Sequence, residues 1–190
     1  MFTGSWNPTL SGTNRNFNHA FWLNSTQLAK LYKLEFEQIW SGKSQSRKDS
    51  QWDYRWIKID GGQARVFFAP QDPLKDVIIS MLQRAKKKIL IGLFFFTDPD
   101  ILDLLRIKKA SGVKVNIVMD NLGIGSRVAQ KNKSLAQILK KFNLEHWSDD
   151  SAGHWHHKAA VIDGKRIISG SANWSKSAFT KNDENLLQID

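Results

Sequence analysis

Hydrophobic positions along the chain change period several times, and each change marks an element. In NSTQLAKLYKLEFEQIW, Leu28, Leu31, Tyr32, Phe36 and Ile39 recur at helical spacing. Asn24 or Ser25 can cap the start and Gly42 the end, which predicts a helix over 25–40. SGKSQSRKDSQ is polar and charged and reads as an exposed connector. After Gly61 and Gly62, ARVFF is a short strand, and Asp72 with Pro73 opens a helix, DPLKDVIISMLQRAKK. KILIGLFFF and VKVNIVMD are continuous apolar runs of strand length, and between them DPDILDLLRIKKASG repeats the proline-led helix start and stops at Gly112. This alternation predicts an α/β fold, a mixed, largely parallel sheet sandwiched between helices. DNLGIGSRVAQKNKS reads as a loop entering a helix, with Arg127, Lys131 and Lys133 on a solvated basic face; its GxG lacks the other residues of a phosphate loop.

Composition narrows the chemistry. A chain of 190 residues suits one domain with a sizeable core. Its formal charge of +10 points to an anionic partner: nucleic acid, an anionic membrane surface or a phosphorylated small molecule. With no cysteine, disulfides, thiolate metal sites and cysteine nucleophiles are excluded together. The longest apolar run, ILIGLFFF, is far short of the roughly 20 residues that span a bilayer. MFTGSW shows no signal peptide, so a soluble protein is expected with its compartment open.

The densest chemistry lies in GHWHHKAAVIDGKRIISGSANWS. Asp163-Gly164 between alternating apolar runs is a strong hairpin turn. A two-residue turn there pairs Ile162 with Lys165, setting His156 opposite Ser171 and Lys158 opposite Ser169 on one face, with Asn173 just beyond. An imidazole, an ammonium and neutral donors on one face suit a phosphate. Seven residues of strand put Asp163 roughly 23 Å from His156, so its task is the turn, not a triad. Glu184, entering the next strand, is then the candidate to orient His156. The competing reading is a zinc site from His154, His156, His157 and His146, although adjacent strand residues such as His156 and His157 face opposite ways. His157 and Trp155 are expected to face the core.

His156-x-Lys158, then four residues, Asp163, six residues and Gly170-Ser171-x-Asn173 resemble the HKD signature of the phospholipase D superfamily, and Asn182-x-Glu184-Asn185 continues the likeness. The resemblance runs from about Gly62 to Asp190 and is closest to small bacterial endonuclease-like members. It implies a phospholipase D/nuclease-like fold in which two HKD halves meet about a two-fold or pseudo-two-fold axis. One histidine forms a phosphohistidine and the other protonates the leaving group, without metal or other cofactor. Carried over, His156 is nucleophile or acid, Lys158, Ser171 and Asn173 bind phosphate, and Glu184 orients the imidazole; Asp163 and Gly170 are motif residues with structural tasks.

Subtracting 166 places Gly170-Ser171-x-Asn173 on Gly4-Ser5-x-Asn7, and NDENLLQID on NFNHAFWLN. Residues 1–24 therefore read as the tail of a preceding HKD repeat, 25–40 as a helix, 41–61 as a linker and 62–190 as the HKD phosphodiesterase domain. Ser5 and Asn7 form a partial second site, with Asn18 where the later copy has Glu184. The chain then looks like a fragment of a two-repeat protein, and helix 25–40 could pack where the second repeat's own helix belongs. The expected function is a metal-independent phosphodiesterase, a nuclease first. Its alternatives are a phospholipase D or cardiolipin-synthase-like phosphatidyltransferase, or an inactive nucleic-acid-binding half-site. The expected partners are nucleic acid, with phospholipid as the alternative, and a second copy or the missing repeat. Trp6, Trp147, Trp155 and Trp174 are candidates to stack bases, some of them belonging to the core instead.

Overall fold

The computed structural model describes residues 1–50, 54–120, 137, 139–140, 144–149 and 153–190, with 145–149 described for the backbone alone. The basic segment carrying Arg127, Lys131 and Lys133 lies outside the described residues. In chain order the elements are β1 (Phe2–Gly4), α1 (Leu10–Asn14), β2 (Ala20–Trp22), α2 (Thr26–Trp40), a 3-10 turn (Gln45–Arg47), β3 (Ile57–Ile59) and β4 (Gly62–Ala69). There follow α3 (Leu74–Gln83), β5 (Lys88–Leu93), α4 (Pro99–Ala110), β6 (Lys114–Asp120), β7 (Glu145–Asp149), β8 (Lys158–Ile162), β9 (Arg166–Gly170), α5 (Lys176–Thr180) and β10 (Glu184–Ile189).

Eight of the strands form one sheet in the order β3-β4-β10-β9-β8-β5-β6-β7. The sheet is mixed and flanked by helices, but the parallel share is smaller than the strand–helix alternation suggests. Only β5–β6 and β6–β7 pair in parallel, and the other neighbours are antiparallel. The cause is topological: β4 and β5 are joined through α3, yet the late meander β8–β9–β10 inserts between them.

Alternate residues of β4 divide between two cores. Phe67 and Ala69 join α3 and α4 through Ile78, Leu82, Ile101 and Leu105, together with Ile89, Ile117 and Ile162. Ala64, Val66 and Phe68 face the other way and meet Leu28 and Leu31 of α2. Full burial of a leucine such as Leu28 contributes about 1.5–3 kcal/mol. Asp98 caps α4 by accepting from the N–H groups of Asp100 and Ile101, with Pro99 in the first turn. Asp72 does not cap α3; its carboxylate accepts from Ser50, Tyr54 and the Phe68 N–H instead.

Two details of α2 depart from its periodicity. Phe36 and Ile39 are exposed, 60% and 43%, because the sheetward position of that turn is Glu35. Glu35 is bonded to Lys48, whose ammonium also reaches Asp183 at 2.9 Å and the Ala69 carbonyl at 3.0 Å. The stretch read as an exposed connector thus contributes a fully buried lysine that ties α2 to the start of β10. Burial pushes the Glu35 carboxyl up, with Lys48 opposing.

Residues 2–22 repeat the backbone of 168–188 at the offset of 166. Gly4 faces Ala20 and Thr3 faces Phe21 in β1–β2, as Gly170 faces Leu186 and Ser169 faces Leu187 in β9–β10. The helices α1 and α5 keep the same offset, capped by Thr9 and Ser175. Gly4 and Gly170 have φ of +155° and +153°, and a Cβ would stand 2.3 Å from the His19 carbonyl oxygen in one and 2.2 Å from that of Asn185 in the other. Among the described residues β1 and β2 pair only with each other. The positions of Phe2 and Trp22, 53% and 80% exposed, correspond to Ile168 and Gln188, which are buried in the large sheet. Among the described residues no helix is long and apolar enough to cross a membrane.

Candidate active site

The hairpin β8–β9 turns at Asp163 and Gly164, with φ of +55° and +68°, closed by Lys165 N–H to Ile162 O at 3.1 Å. Strand pairing resumes with Ile162 opposite Arg166, so Lys165 is a one-residue bulge and the register is shifted by one from the expected pairing. Ser169 therefore faces Ala159 rather than Lys158, and His156 is not set opposite Ser171 by an unbroken ladder. Asp163 sits away from the cleft, as its strand distance requires. Its carboxylate accepts from the backbone N–H groups of Lys86, Lys87 and Lys88 at 2.9, 2.7 and 2.9 Å, pinning the turn to the start of β5. Burial opposes its ionisation, but these amides and Arg166 hold the carboxyl below its ordinary value.

His156, Lys158, Ser171, Asn173 and Glu184 line one cleft of about 550 Å³, and Ser5 and Asn7 line it with them. Gly170 stands behind it, packed on Asn185. Nδ1 of His156 lies 2.9 Å from the Ser5 carbonyl oxygen and 3.0 Å from Oδ1 of Asn18. Asn18 donates its Nδ2 to Gly12 O at 2.8 Å, which fixes the amide with its oxygen toward the imidazole. Both partners of Nδ1 are acceptors, so the proton resides on Nδ1 and Nε2 keeps its lone pair. Burial, then the charge of Lys158, pushes the imidazole down to about 4 against the Ser5 carbonyl, leaving it neutral near neutral pH.

Glu184 does not orient His156. Its carboxylate accepts from Ser171 Oγ at 2.5 Å and from Asn182 Nδ2 at 3.1 Å. The support at His156 comes instead from Asn18, which stands 166 positions before Glu184. No local pattern links residue 18 to residue 156; the repeat offset was the one signal that could have. A second contribution with no mark in the sequence is a brace in the cleft lining: Thr3 and Tyr32 hydroxyls both reach Oδ1 of Asn185, at 3.2 and 3.3 Å.

Lys158 is 3% exposed, donates to the His156 carbonyl at 2.9 Å and lies 4.8 Å from the Phe94 ring centroid. Burial pushes its ammonium down to about 7, opposed by Glu184 and Asp120. A phosphate beside it would restore the full charge.

The other described histidines, His19, His154 and His157, do not line this cleft. His19 Nδ1 and His157 Nδ1 are 2.8 Å apart with their rings stacked, and His19 Nε2 meets Ser169 Oγ. His157 and Trp155 are half-buried beneath the N-terminal segment, with the Trp155 ring against Phe17 and His157, not in the main core as expected. His154 stands 3.5 Å from the Asp120 carboxylate. The side chains of His146 and Trp147 fall outside the described residues. Among those described, no three histidine or carboxylate groups are placed to share a metal ion. Of the tryptophans, Trp174 is core, while Trp6 lines the cleft at 39% exposure, edge-on to Phe2.

Residues 78–190 match the family model described as a cardiolipin synthase, PLD-like domain. A mitochondrial cardiolipin hydrolase of Chlamydomonas reinhardtii is 32% identical over 108 residues, 57% of this chain and 46% of that protein. A phospholipase D of Rickettsia prowazekii is 28% identical over 156 residues, 82% of this chain and 74% of that one. Among solved structures, Nuc of Salmonella typhimurium, a phospholipase D family member, superposes with a TM-score of 0.58 at 29% identity, covering 66% of this chain and 81% of Nuc. NucT of Helicobacter pylori gives 0.57 at 26%, covering 67% and 84%. The chain belongs to the phospholipase D superfamily. It spans about half the length of the cardiolipin hydrolases it matches.

Proposed function

We propose that this protein hydrolyses phosphodiester bonds without metal, through a phosphohistidine at His156, and that its substrate is nucleic acid. The observation that carries the reading is the neutral imidazole of His156, its Nδ1 tied to Ser5 O and Asn18 Oδ1 while it lines a cleft with Lys158, Ser171 and Asn173. Nε2 attacks phosphorus, the bond to the leaving oxygen breaks, and that oxygen takes a proton from a second acid. Water then gives a proton back to the conjugate base of that acid and attacks the phosphorus, breaking the P–N bond and regenerating neutral imidazole. Lys158 and Asn173 neutralise and hold the non-bridging oxygens. The donor set suits this route, because the cleft offers an ammonium and neutral donors around one carboxylate, Glu184, already bonded to Ser171 and Asn182. The net charge of +10 favours a polyanion over a single headgroup.

His156 is the one imidazole lining the cleft among the described residues. The leaving-group acid is assigned to a second HxK strand, from a second copy or from a repeat preceding Gly4-Ser5-x-Asn7. The edge of β1 that is unpaired among the described residues corresponds to the edge of β9 that pairs with β8, and this supports the assignment. Residues 1–24 are then the tail of such a repeat.

The test is a comparison of DNA, RNA and phospholipid vesicles in excess chelator, with His156→Ala as control and molecular mass measured alongside. Chelator-resistant nucleic-acid cleavage that His156→Ala abolishes is expected, in a preparation whose activity His156→Ala protein suppresses on mixing if two copies share the site. Turnover confined to phospholipid would move the assignment to a phosphatidyltransferase or phospholipase D. Binding of nucleic acid without turnover of any substrate would mark an inactive half-site.

A further inference from the structure

At the opposite end of β8 and β9 from the cleft, a second concavity of about 460 Å³ is lined wholly by charged residues: Arg84, Lys86, Lys87, Asp163, Lys165 and Arg166. Three separate segments bring these cations together: the end of α3, the start of β5 and the β8–β9 turn. We propose that this concavity is an anion-binding exosite that holds the phosphate backbone of nucleic acid, remote from the site of cleavage.

Ordinary structural duties of these cations are already met by others. Cations often gather at a helix C-terminus to satisfy its carbonyls. Here Lys108 does this for α3, donating its ammonium to the carbonyls of Gln83 and Ala85. The Asp163 carboxylate is committed to the three backbone amides of Lys86, Lys87 and Lys88 and is not spent on the surrounding ammonium groups. Arg84 and Arg166 share Asp190, at 3.8 and 2.8 Å. Lys86, Lys87 and Lys165 are exposed and form no ion pair with a described residue. Three uncommitted ammonium groups around a concavity concentrate positive potential where a phosphate can approach.

The walls decide between polyanions. An anionic membrane surface is held by cations next to apolar anchors that enter the bilayer interface. The lining here is all charged, and exposed aromatic residues such as Trp6, Trp22 and Trp40 are elsewhere in the fold. Nucleic acid needs no such anchor, and its charges repeat. Strand geometry separates Asp163 from His156 by roughly 23 Å, a span that the phosphates of one duplex strand, about 3.4 Å apart along the helix axis, cover in about seven base pairs. The site thus predicts a minimum length for full affinity. This inference rests on the nucleic-acid reading of the cleft.

The test is the triple variant Lys86→Ser/Lys87→Ser/Lys165→Ser, read by equilibrium binding to a 6-bp and a 30-bp duplex over a salt series. For the 30-bp duplex the slope of log affinity against log salt should fall by about 0.9 for each phosphate contact removed, roughly 2–3 in all. Binding of the 6-bp duplex and hydrolysis of a small chromogenic phosphodiester should be unchanged. An unaltered slope, an equal loss on both duplexes, or a loss confined to phosphatidylglycerol vesicles would overturn the exosite. Because the readout is binding, the two readings separate. DNA held at these lysines but never cut would sink the nuclease, whereas DNA cut equally well by the triple variant with unaltered binding would sink the exosite.

Discussion

Nδ1 of His156 and Oδ1 of Asn18 lie 3.0 Å apart, joining residues separated by 138 positions. Asn18 holds its oxygen there because Gly12 O takes its amide protons, and it occupies the repeat position of Glu184. Asn18→Ala should therefore lower kcat about tenfold, the worth of one good hydrogen bond, with KM little changed. Asn18→Asp places a carboxylate beside the imidazole and should raise its pKa from about 4 toward 6.5. The acid limb of the kcat/KM profile should move up with it. An identical limb in both proteins would remove Asn18 from this role.

Lys158 is a second point where function opposes stability. Burial lowers its pKa from 10.5 to about 7, so the unfolded chain holds the proton more tightly between these values. Stability then rises as pH climbs from about 7 to 10.5, and the cost is complete below 7. Lys158→Met should raise Tm at pH 6, with the gain shrinking by pH 10, while turnover is lost. Thermal melts at the two pH values check the sign; a Tm lower than that of the parent at pH 6 would contradict it.

The chemistry of this site was more legible than its geometry. His156, Lys158, Ser171, Asn173 and Glu184 reach one cleft because their spacing around a hairpin constrains them, and Asp163-Gly164 announces the turn. The bulge at Lys165 leaves no mark in composition, so the register slipped by one. In the fold, the apolar runs identify β5 and β6 individually. Their order in the sheet depends on where β8–β9–β10 inserts, a long-range choice that periodicity does not encode. Lys48 looks solvated in the sequence because its partners Glu35 and Asp183 are distant along the chain. The offset of 166 is visible in the sequence, but the contact between Asn18 and His156 is not, because nothing local links the two residues.

Acid should loosen the junction between the N-terminal segment and β8. Burial pushes both His19 and His156 down to about 4, with neighbouring His157 adding to the effect at His19 and Lys158 at His156. The unfolded chain takes up protons first, near 6.5, so the stability these neutral rings contribute is lost as pH falls from about 6.5 to 4. His19→Asn should flatten that part of the Tm profile. An unchanged slope would mean that other groups carry the acid sensitivity.

Asp163→Asn should weaken the fold and spare the chemistry. The amide keeps one acceptor oxygen where the carboxylate served three N–H groups, and the expected loss is about 1–3 kcal/mol. Urea midpoints read the first effect and turnover at 10 °C the second. A large drop in kcat in folded protein would place Asp163 in the site after all.

The two equivalent glycines separate the hairpin from the sheet. At Gly170 a methyl group would stand 2.2 Å from Asn185 O within the eight-stranded sheet, and Gly170→Ala should cost about 10 °C in Tm or more. At Gly4 the same clash, 2.3 Å from His19 O, falls in the two-stranded unit that presents Ser5 O and Asn18 Oδ1 to His156. Gly4→Ala should therefore leave the large sheet folded while the hairpin pulls away and the imidazole loses both acceptors. Amide exchange should show residues 2–22 unprotected and β8–β10 still protected, with activity reduced about a hundredfold as two hydrogen bonds are lost together. Equal protection losses in both regions would mean that the hairpin is part of the global folding unit, and full activity in the Gly4 variant would mean that His156 needs neither acceptor.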